Sequence, residues 1–296
     1  MEITFLGTSA MQPTKERNLS SVLFNYGSEN ILVDCGEGTQ RQMKIAGLKP
    51  TRITRILISH WHGDHVLGLG GLIRYLGANE YNNTLYIYGP KGIKDYVKNI
   101  LNSCVFTDNV KIELIEIKEG LIFENKDFYI ESFRLNHTEV CYGFNFIEKD
   151  KRKINVKYLA KFGLKTHPLI GELQKGKDIV WQNKKIKSRD ATIIAKGKKI
   201  SFIIDTGFDE NIIKSVKEAD LVICEATYSD DLKEKAIKYK HLTAKQASEI
   251  AKKAKAKRLI LTHFSQRYPD VKELEKESKK LFKNTTCAKD FMKIIL

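Results

Sequence analysis

Residues 59–68 read SHWHGDHVLG and follow the apolar run RILI. Three of the chain's seven histidines and one aspartate lie in this stretch: His60, His62, Asp64 and His65. Imidazole and carboxylate groups are ligands that Zn²⁺ favours, and the same combination suits Mn²⁺. Four such side chains on one short loop would be costly to desolvate unless a cation gathered them. The stretch therefore predicts a metal site at the end of a β-strand.

Three further potential ligands each stand at the end of an apolar, strand-like run. His137 ends FYIESFRLNH, Asp205 ends KISFIID, and His263 ends RLILTH. In open α/β sheets, binding sites lie at the carboxyl ends of the strands. Together with the loop, these residues make seven ligands, which is enough for two metal ions.

Short β-rich runs such as SVLFNY, LYIYG and LVICEAT alternate with helical stretches such as LTAKQASEIAKKAKA along the chain. This mixture predicts an α/β layered fold with sizeable sheets, and we expect residues 1–296 to form one domain. Residues 150–188 interrupt the pattern because they are basic and turn-rich and have no clean period. We expect them to project from the body as an insertion that is too short to bury a core of its own.

Positive charge is concentrated in one part of the sequence. The chain has 51 basic and 36 acidic residues, a net charge of +15. Residues 149–199 contain 16 basic and four acidic residues and carry +12 of it, whereas the other 245 residues carry +3. The concentration favours contact with a polyanion such as a nucleic acid, although a charged run is often only a solvated surface.

Other features predict a cytoplasmic protein. No apolar run reaches the roughly 18 residues of a membrane span, and the start MEITFLG lacks the basic region of a signal peptide. The five cysteines are scattered without paired spacing, which is typical of free thiols in a reducing compartment.

The seven ligands, in this order, resemble those of the metallo-β-lactamase superfamily. The resemblance implies an αββα sandwich of two packed mixed sheets that binds two zinc ions per chain, with manganese as the alternative metal. By the same resemblance, one metal is held by His60, His62 and His137, the other by Asp64, His65 and His263, and both by the bridging Asp205.

Four further features resemble the ribonuclease Z family of that superfamily. The stretch PTKERN resembles its P-x-K-x-R-N loop, CEAT its H-E-A-T stretch, and HLTA its H-S-T motif. The basic insertion matches the flexible arm with which that family grips the elbow of tRNA. The substrate-binding residues that this implies are Lys15, Arg17 and Asn18 in the loop, and Lys151, Arg152, Lys153, Lys161 and Lys165 in the arm.

The resemblance also implies a reaction and an assembly. The enzyme would remove the 3′ trailer from precursor tRNA by phosphodiester hydrolysis after the discriminator nucleotide, leaving a tRNA 3′-OH and a trailer 5′-phosphate. Asp64 would orient or deprotonate the metal-activated water. A protonated His241, steered by Glu225, would protonate the leaving oxygen. The family pattern implies a homodimer in which each arm serves the partner's active site.

Alternatives remain open for individual residues and for the chain. Asp34 is expected to brace its loop rather than bind metal, Glu225 could pair with a lysine, and His241 could be a helix N-terminal residue. A small-molecule or cyclic-nucleotide phosphodiesterase would need no basic arm, and a catalytically silent RNA-binding module should have lost ligands. A glyoxalase-type thioesterase is a weaker third alternative.

Three positions depart from the family pattern. Cys224 replaces the His of H-E-A-T. His167 replaces the usual Gly before Pro168 in the arm, a change that could alter the turn there and the grip on tRNA. Ile204 replaces the usual Gly before Asp205, which we attribute to packing.

Overall fold

The structure is a computed structural model that describes residues 1–105 and 110–296. Its strands are β1 (Glu2–Gly7), β2 (Ser9–Ala10), β3 (Ser21–Tyr26), β4 (Glu29–Val33), β5 (Arg55–Leu57), β6 (Leu85–Gly89), β7 (Ile112–Glu116), β8 (Gly120–Glu124), β9 (Phe128–Leu135), β10 (Cys141–Glu148), β11 (Lys151–Ile154), β12 (Ile179–Trp181), β13 (Lys184–Ile186), β14 (Thr192–Ala195), β15 (Lys199–Ile203), β16 (Leu221–Glu225), β17 (Leu259–Thr262), β18 (Phe264–Ser265), β19 (Thr285–Cys287) and β20 (Lys293–Ile295).

The α-helices in the described ranges are α1 (Thr39–Ile45), α2 (Gly63–Val66), α3 (Gly68–Ala78), α4 (Ile93–Asn102), α5 (Val156–Ala160), α6 (Leu169–Gln174), α7 (Ser188–Ala191), α8 (Glu210–Ser215), α9 (Lys233–Tyr239), α10 (Ala244–Lys253) and α11 (Lys272–Leu281). Short 3₁₀-helices span Pro50–Arg52 and Asp230–Leu232. None of these helices has both the length and the apolar character needed to cross a bilayer.

Two seven-stranded mixed sheets form the centre of the molecule. The strand order is β20-β1-β3-β4-β5-β6-β7 in the first sheet and β19-β17-β16-β15-β10-β9-β8 in the second. In each sheet, one half is antiparallel and the other half, from β4 to β7 or from β15 to β19, is parallel. The predicted α/β class with two packed mixed sheets is confirmed.

Aromatic side chains join the two sheets. Phe146 on β10 is buried, and its ring centroid lies 4.2 Å from that of Phe24 on β3 of the other sheet and 5.6 Å from that of Phe202 on β15. Alternate residues of each strand point into this layer, as expected when both inner faces are buried. The aromatic side chains between the sheets therefore hold the sandwich together.

Helices cover the outer face of each sheet and complete four layers. Apolar residues of α1, α3 and α4, including Met43, Leu72 and Val97, pack on the first sheet. Those of α8, α10 and α11, including Ile212 and Ile250, pack on the second. The αββα arrangement expected from the resemblance is present.

Residues 151–195 form a projection from this body, which we call the arm. Its root is the antiparallel pair β11–β14, so the projection continues past the expected end at residue 188. Within it, the β12–β13 hairpin and three short helices enclose a small cluster of buried residues: Leu159, Leu164, Leu173, Ile179, Ile186 and Ala191. The expectation that this segment is too short to bury a core of its own is wrong, because the hairpin folds back over Leu173, which is fully buried.

Candidate metal centre and active site

The ends of four strands bring distant residues together at one edge of the sandwich. His60 lies three residues beyond β5, His137 and Asp205 lie two residues beyond β9 and β15, and His263 directly follows β17. Neighbouring strand ends meet at the same sheet edge, so these side chains converge although more than 200 residues separate the first from the last.

The converging side chains form two adjoining groups that could each hold a metal ion. In each group, one potential ligand atom per residue lies within 4.8 Å of the others, and the groups are His60, His62, His137 and Asp205, and Asp64, His65, Asp205 and His263. These are the sets that the resemblance assigns to each metal.

Asp205 belongs to both groups and presents one oxygen to each. Its Oδ2 lies 3.8 Å from His60 Nε2 and 3.9 Å from His137 Nε2. Its Oδ1 lies 3.5 Å from His65 Nε2 and 3.2 Å from His263 Nε2. A carboxylate in this position can bridge two cations.

The donor atoms fit a divalent metal. Three of them, His65 Nε2, His263 Nε2 and Asp205 Oδ1, are buried and have no hydrogen-bond partner among the described residues. Buried polar atoms without partners are rare because each costs about 1–3 kcal/mol. A cation among these lone pairs would satisfy them together, and nitrogen with carboxylate oxygen is a donor set that Zn²⁺ and Mn²⁺ accept.

The other ring nitrogen of each of three histidines has a partner that aims the ligand. Nδ1 of His65 donates to Asp34 Oδ2 at 2.7 Å, and Nδ1 of His137 donates to the Lys240 carbonyl at 3.0 Å. Nδ1 of His263 lies 3.0 Å from Thr227 Oγ1. With the proton on Nδ1, the Nε2 lone pair points into the site, which is the arrangement usual for metal-binding histidine.

Asp34 has a second role besides bracing its loop. Besides His65, its carboxylate accepts hydrogen bonds from the Ser59 backbone N–H and the Ser59 hydroxyl, each at 2.8 Å. It thus braces the loop, as expected, and also orients a ligand. Its position at the end of β4, directly beside β5 in the sheet, is the signal that could have indicated this second role.

The backbone around the site is held in an uncommon conformation. Four non-glycine residues there have positive φ: Met11 at 58°, Asp34 at 57°, Lys240 at 52° and His263 at 58°. Each such residue costs of order 1–3 kcal/mol and persists where its surroundings impose it. Here hydrogen bonds supply that constraint: Met11, Asp34 and Lys240 each bind a ligand, and His263 lies within hydrogen-bond distance of Thr227.

Charges in the cluster shift the ionisation of its members. Burial lowers the pKa of His60 and of His137, so both are neutral, as ligands must be. Burial also opposes the charge of His65, but Asp205, Asp64 and Asp34 raise the pKa of that histidine well above its usual value, so a metal ion would bind its Nε2 in exchange for a proton. The pKa of Asp64 is lowered by His65 and His263 despite burial, so Asp64 is ionised.

His241 and Glu225 form a pair beside the two groups. Nδ1 of His241 lies 2.9 Å from Glu225 Oε1, and the fully buried Glu225 also accepts from the Thr206 N–H at 2.9 Å and from the Thr227 hydroxyl at 2.6 Å. Burial disfavours charge on His241, but Glu225 and Asp205 raise the pKa of His241 to about 9.

This geometry decides two of the alternatives left open by the sequence. Helix α10 begins at Ala244 with Thr243 as its N-cap, so His241 is not a helix N-terminal residue. Among the described residues, the charged partner of Glu225 is His241 and not a lysine.

Comparison with known proteins agrees with the resemblance. The family model described as "Anti-Pycsar protein Apyc1" matches residues 1–190, and that described as "Beta-lactamase superfamily domain" matches residues 185–264. Ribonuclease Z of Bacillus cereus (strain AH187) is 40% identical over 301 residues, which cover 98% of this chain and 97% of that protein. The chain belongs to the ribonuclease Z family.

Solved structures place the ribonuclease Z fold over the whole chain. Human tRNase Z, short form, has a TM-score of 0.70 and 30% identity, covering 100% of this chain and 99% of that one. The metallo-β-lactamase fold protein YhfI of Bacillus subtilis has a TM-score of 0.72 at 20% identity, covering 99% and 98%, and shows the shared fold. The predicted family is confirmed, and its fold together with the ligand groups implies a divalent metal.

The loop that resembles the ribonuclease Z P-x-K-x-R-N motif is fastened to the body. Lys15 is exposed, but Arg17 is only 7% exposed and donates from Nη2 to the carbonyls of Tyr268 at 2.7 Å and Ser265 at 3.3 Å. Asn18 Nδ2 donates to the Glu37 carbonyl at 2.8 Å. The expected contact of Arg17 with RNA is not supported, because its guanidinium is buried within the protein.

Asp290 near the C-terminus anchors the same loop. Its carboxylate accepts hydrogen bonds from Thr8 Oγ1 at 2.8 Å, the Asn18 N–H at 2.7 Å and Gln42 Nε2 at 2.8 Å. The anchored loop carries Met11, whose N–H donates to Asp64 Oδ2 at 2.8 Å. No motif in the sequence singled out Asp290, since its role depends on contacts between the two ends of the chain.

The implied substrate-binding residues of the arm differ in accessibility. Lys151, Lys153, Lys161 and Lys165 are exposed, although Lys151 at the root also donates to the Tyr26 hydroxyl at 2.8 Å, and the half-buried Arg152 donates to Thr192 Oγ1 at 2.9 Å. Four lysines are thus presented to solvent, and Lys151 and Arg152 also make contacts at the root.

The three departures from the ribonuclease Z pattern lie in different surroundings, and nothing in the structure explains Cys224. The His167 ring packs edge-on against Trp181, with centroids 4.8 Å apart, and its Nδ1 accepts from the Leu169 N–H at 3.2 Å at the start of α6. Ile204 packs against the apolar clusters on both faces of the second sheet, as expected. Cys224 is fully buried in β16.

The anchor at Asp290 should leave a signature in the pH dependence of stability. Burial raises the pKa of Asp290 to about 6, so between about pH 4 and pH 6 the unfolded chain loses this proton while the folded chain keeps it. Asp290 should therefore make the stability of the wild type fall with rising pH in that window relative to the stability of Asp290→Asn. Between about pH 4 and pH 6, the unfolding free energy of Asp290→Asn should rise by about 1–3 kcal/mol relative to that of the wild type. Urea unfolding of the metal-free proteins measures this difference.

Asp270→Asn is the matched control, because a hydrogen bond from the Lys272 N–H lowers the pKa of this exposed carboxyl. The unfolding free energy of Asp270→Asn should not rise with pH relative to that of the wild type. A pH-independent difference for Asp290→Asn would contradict the buried, protonated state.

Proposed function

We propose that this protein is an endoribonuclease that removes the 3′ trailer from precursor tRNA after the discriminator nucleotide, leaving a tRNA 3′-OH and a trailer 5′-phosphate. One observation carries the proposal: the His241–Glu225 pair adjoins two ligand groups that share Asp205. Its relatives include ribonuclease Z of B. cereus and human tRNase Z, each matched over nearly its whole length. The family and the arm both favour precursor tRNA as the substrate.

The metal complement that we propose is two zinc ions per chain, one in each ligand group, with manganese as the alternative. When bound, divalent ions acidify a water molecule and offset the charge that develops on a phosphoryl group. The protein supplies the geometry: Asp34, Lys240 and Thr227 keep the Nε2 atoms of three histidines directed inward. Such outer contacts typically change metal affinity or activity 10- to 100-fold when removed.

Asp64 is proposed to orient the attacking water. The Met11 N–H holds its Oδ2, while Oδ1 makes no hydrogen bond to the described part of the chain. An ionised carboxylate oxygen in this position can accept a hydrogen bond from a water molecule and direct its lone pair toward the phosphorus.

His241 is proposed to protonate the leaving 3′ oxygen. Glu225 holds its Nδ1, so Nε2 is the nitrogen available to the substrate, and the side chain is 16% exposed. The raised pKa keeps the imidazole protonated near neutral pH, as a proton donor requires.

The position of the arm supports action in a homodimer. The N–H of Glu148, just before the arm, donates to the Lys198 carbonyl, just after it, at the amino end of β15. Asp205 lies beyond the carboxyl end of the same strand, seven residues away. At about 3.3 Å per extended residue, the root of the arm lies about 20 Å from the site of its own chain. We propose that each arm instead binds the tRNA that occupies the partner's site.

The cytoplasm is the proposed location. The five cysteines are free, and four of them are buried, which is typical of a protein in a reducing compartment.

Asp205→Ala should weaken metal binding in both groups, because this residue alone contributes an oxygen to each. We expect mass-spectrometric metal analysis to find two ions per wild-type chain after Zn²⁺ loading and at most one in Asp205→Ala. Asp270→Asn, a surface carboxylate, should retain two. A wild-type chain that binds only one ion at saturation would overturn the two-metal proposal.

His241→Ala should retain both metals and bind precursor tRNA, yet cleave it about 10²–10⁴-fold more slowly, the usual contribution of a positioned proton donor. The loss should be much smaller with a nitrophenyl phosphodiester, because nitrophenolate leaves without protonation. Single-turnover rates of the wild type and the variant, measured on both substrates, give the two losses to be compared. Equal losses, or loss of metal, would show that His241 is a ligand or a scaffold residue.

Complementation tests the arm and the dimer together. Deletion of residues 151–195 should abolish cleavage of precursor tRNA but spare the nitrophenyl substrate, and a full-length Asp64→Ala chain should cleave neither. Co-expressed, they should recover about a quarter of wild-type tRNA cleavage, because half of the dimers are mixed and each has one intact site facing an intact arm. No recovery in isolated mixed dimers would show that the arm serves its own chain.

A further inference from the structure

Arg267 is an exposed cation at the rim of the site that the mechanism above does not use. It lies in the loop between β18 and α11, four residues after His263. Strand β18 pairs with β2, with Ser265 opposite Ala10, so this loop lies beside the segment that brings Met11 to Asp64.

Two contacts hold the Arg267 guanidinium in place. Its Nε donates to Ser265 Oγ at 2.9 Å, and its Cζ lies 5.2 Å from the ring centroid of Tyr228. Tyr228 is only 7% exposed, and its ring centroid lies 6.1 Å from that of His241. A guanidinium braced by a hydrogen bond and an aromatic face loses little conformational freedom when it binds a ligand.

Neighbouring cations bind other groups of the protein, whereas the terminal nitrogens of Arg267 bind none in the described ranges. Arg17 is buried against backbone carbonyls, Lys240 donates to the His137 carbonyl, and Lys245 pairs with Asp230 at 2.7 Å. Arg267 makes no ion pair with any residue in the described ranges, and its two terminal nitrogens remain available. Two adjacent N–H donors of this kind match the oxygens of a phosphate.

We infer that Arg267 binds the phosphate on the 5′ side of the discriminator nucleotide, one nucleotide upstream of the cleaved bond. The inference rests on the proposed function, in which His241 faces the leaving 3′ oxygen of that nucleotide. Both Arg267 and His241 lie against Tyr228: the Arg267 Cζ is 5.2 Å and the His241 ring centroid 6.1 Å from the centroid of the Tyr228 ring. With the leaving 3′ oxygen at His241, the 5′ phosphate of the same nucleotide is the neighbouring anion of the RNA that Arg267 would meet.

The test removes the charge from each partner in turn. The substrate is an acceptor-stem RNA with a 3′ trailer, prepared with all phosphates normal or with a neutral methylphosphonate at the upstream phosphate. Arg267→Ala should lower kcat/KM on the normal RNA by about 10- to 100-fold, the range for a charge-assisted contact. The methylphosphonate should lower wild-type kcat/KM by a similar factor and cause little further loss in Arg267→Ala.

Three controls separate this contact from other effects. Lys272→Ala removes an equal charge five residues away and should have little effect. Arg267→Ala should hydrolyse the nitrophenyl phosphodiester at the wild-type rate, since that substrate lacks the upstream phosphate. Ser265→Ala should weaken RNA cleavage less than Arg267→Ala and add nothing to it, as expected of a positioning residue.

Three results would overturn the inference. Undiminished RNA cleavage by Arg267→Ala would exclude the contact. If the upstream methylphosphonate lowered kcat/KM as much in Arg267→Ala as in the wild type, Arg267 would bind another phosphate. The same conclusion would follow if Arg267→Ala and the wild type became equally active only on an RNA with the methylphosphonate on the trailer side. Failure of the wild type to cleave the normal RNA is a separate outcome, because it would reject the proposed function and this inference with it.

Discussion

The buried carboxylate of Asp205, set between two groups of imidazoles, is the constraint on which the site depends. One of its oxygens and the facing nitrogens of His65 and His263 are buried without hydrogen-bond partners. Such an arrangement is unfavourable in an apolar interior unless a cation occupies it. The sandwich supplies the rigid strand ends that keep these atoms facing one another.

A second set of residues maintains the direction of each ligand. Asp34, Lys240 and Thr227 bind the outer nitrogens of three histidines, and several of the residues involved adopt positive φ. Thr227 also joins the metal ligands to the Glu225–His241 pair, because its hydroxyl donates to Glu225 and lies beside His263. The proposed proton donor and the proposed metal ligands therefore share one hydrogen-bond network.

Positive charge is divided between places with different tasks. The arm carries exposed lysines on a separately packed core, whose root lies at the opposite end of β15 from the site. Near the site, basic residues are few and differ in use: Arg17 fastens the N-terminal loop, and Arg267 faces solvent. The proposed contact of the arm with RNA and the proposed contact of Arg267 with a phosphate can thus be altered separately.

The sequence alone determined the layered α/β class and the seven candidate ligands, because strand periodicity and strand-end histidines are local features, whereas the pairing of His241 with Glu225 was only implied by the family resemblance. Only the tertiary structure decided which ligands face each other, that Arg17 is buried, and that Asp290 anchors the N-terminal loop. It also decided that the arm has its own core. These depend on contacts between residues far apart in the chain, and a residue's type and neighbours in sequence do not say which backbone groups will surround it after folding.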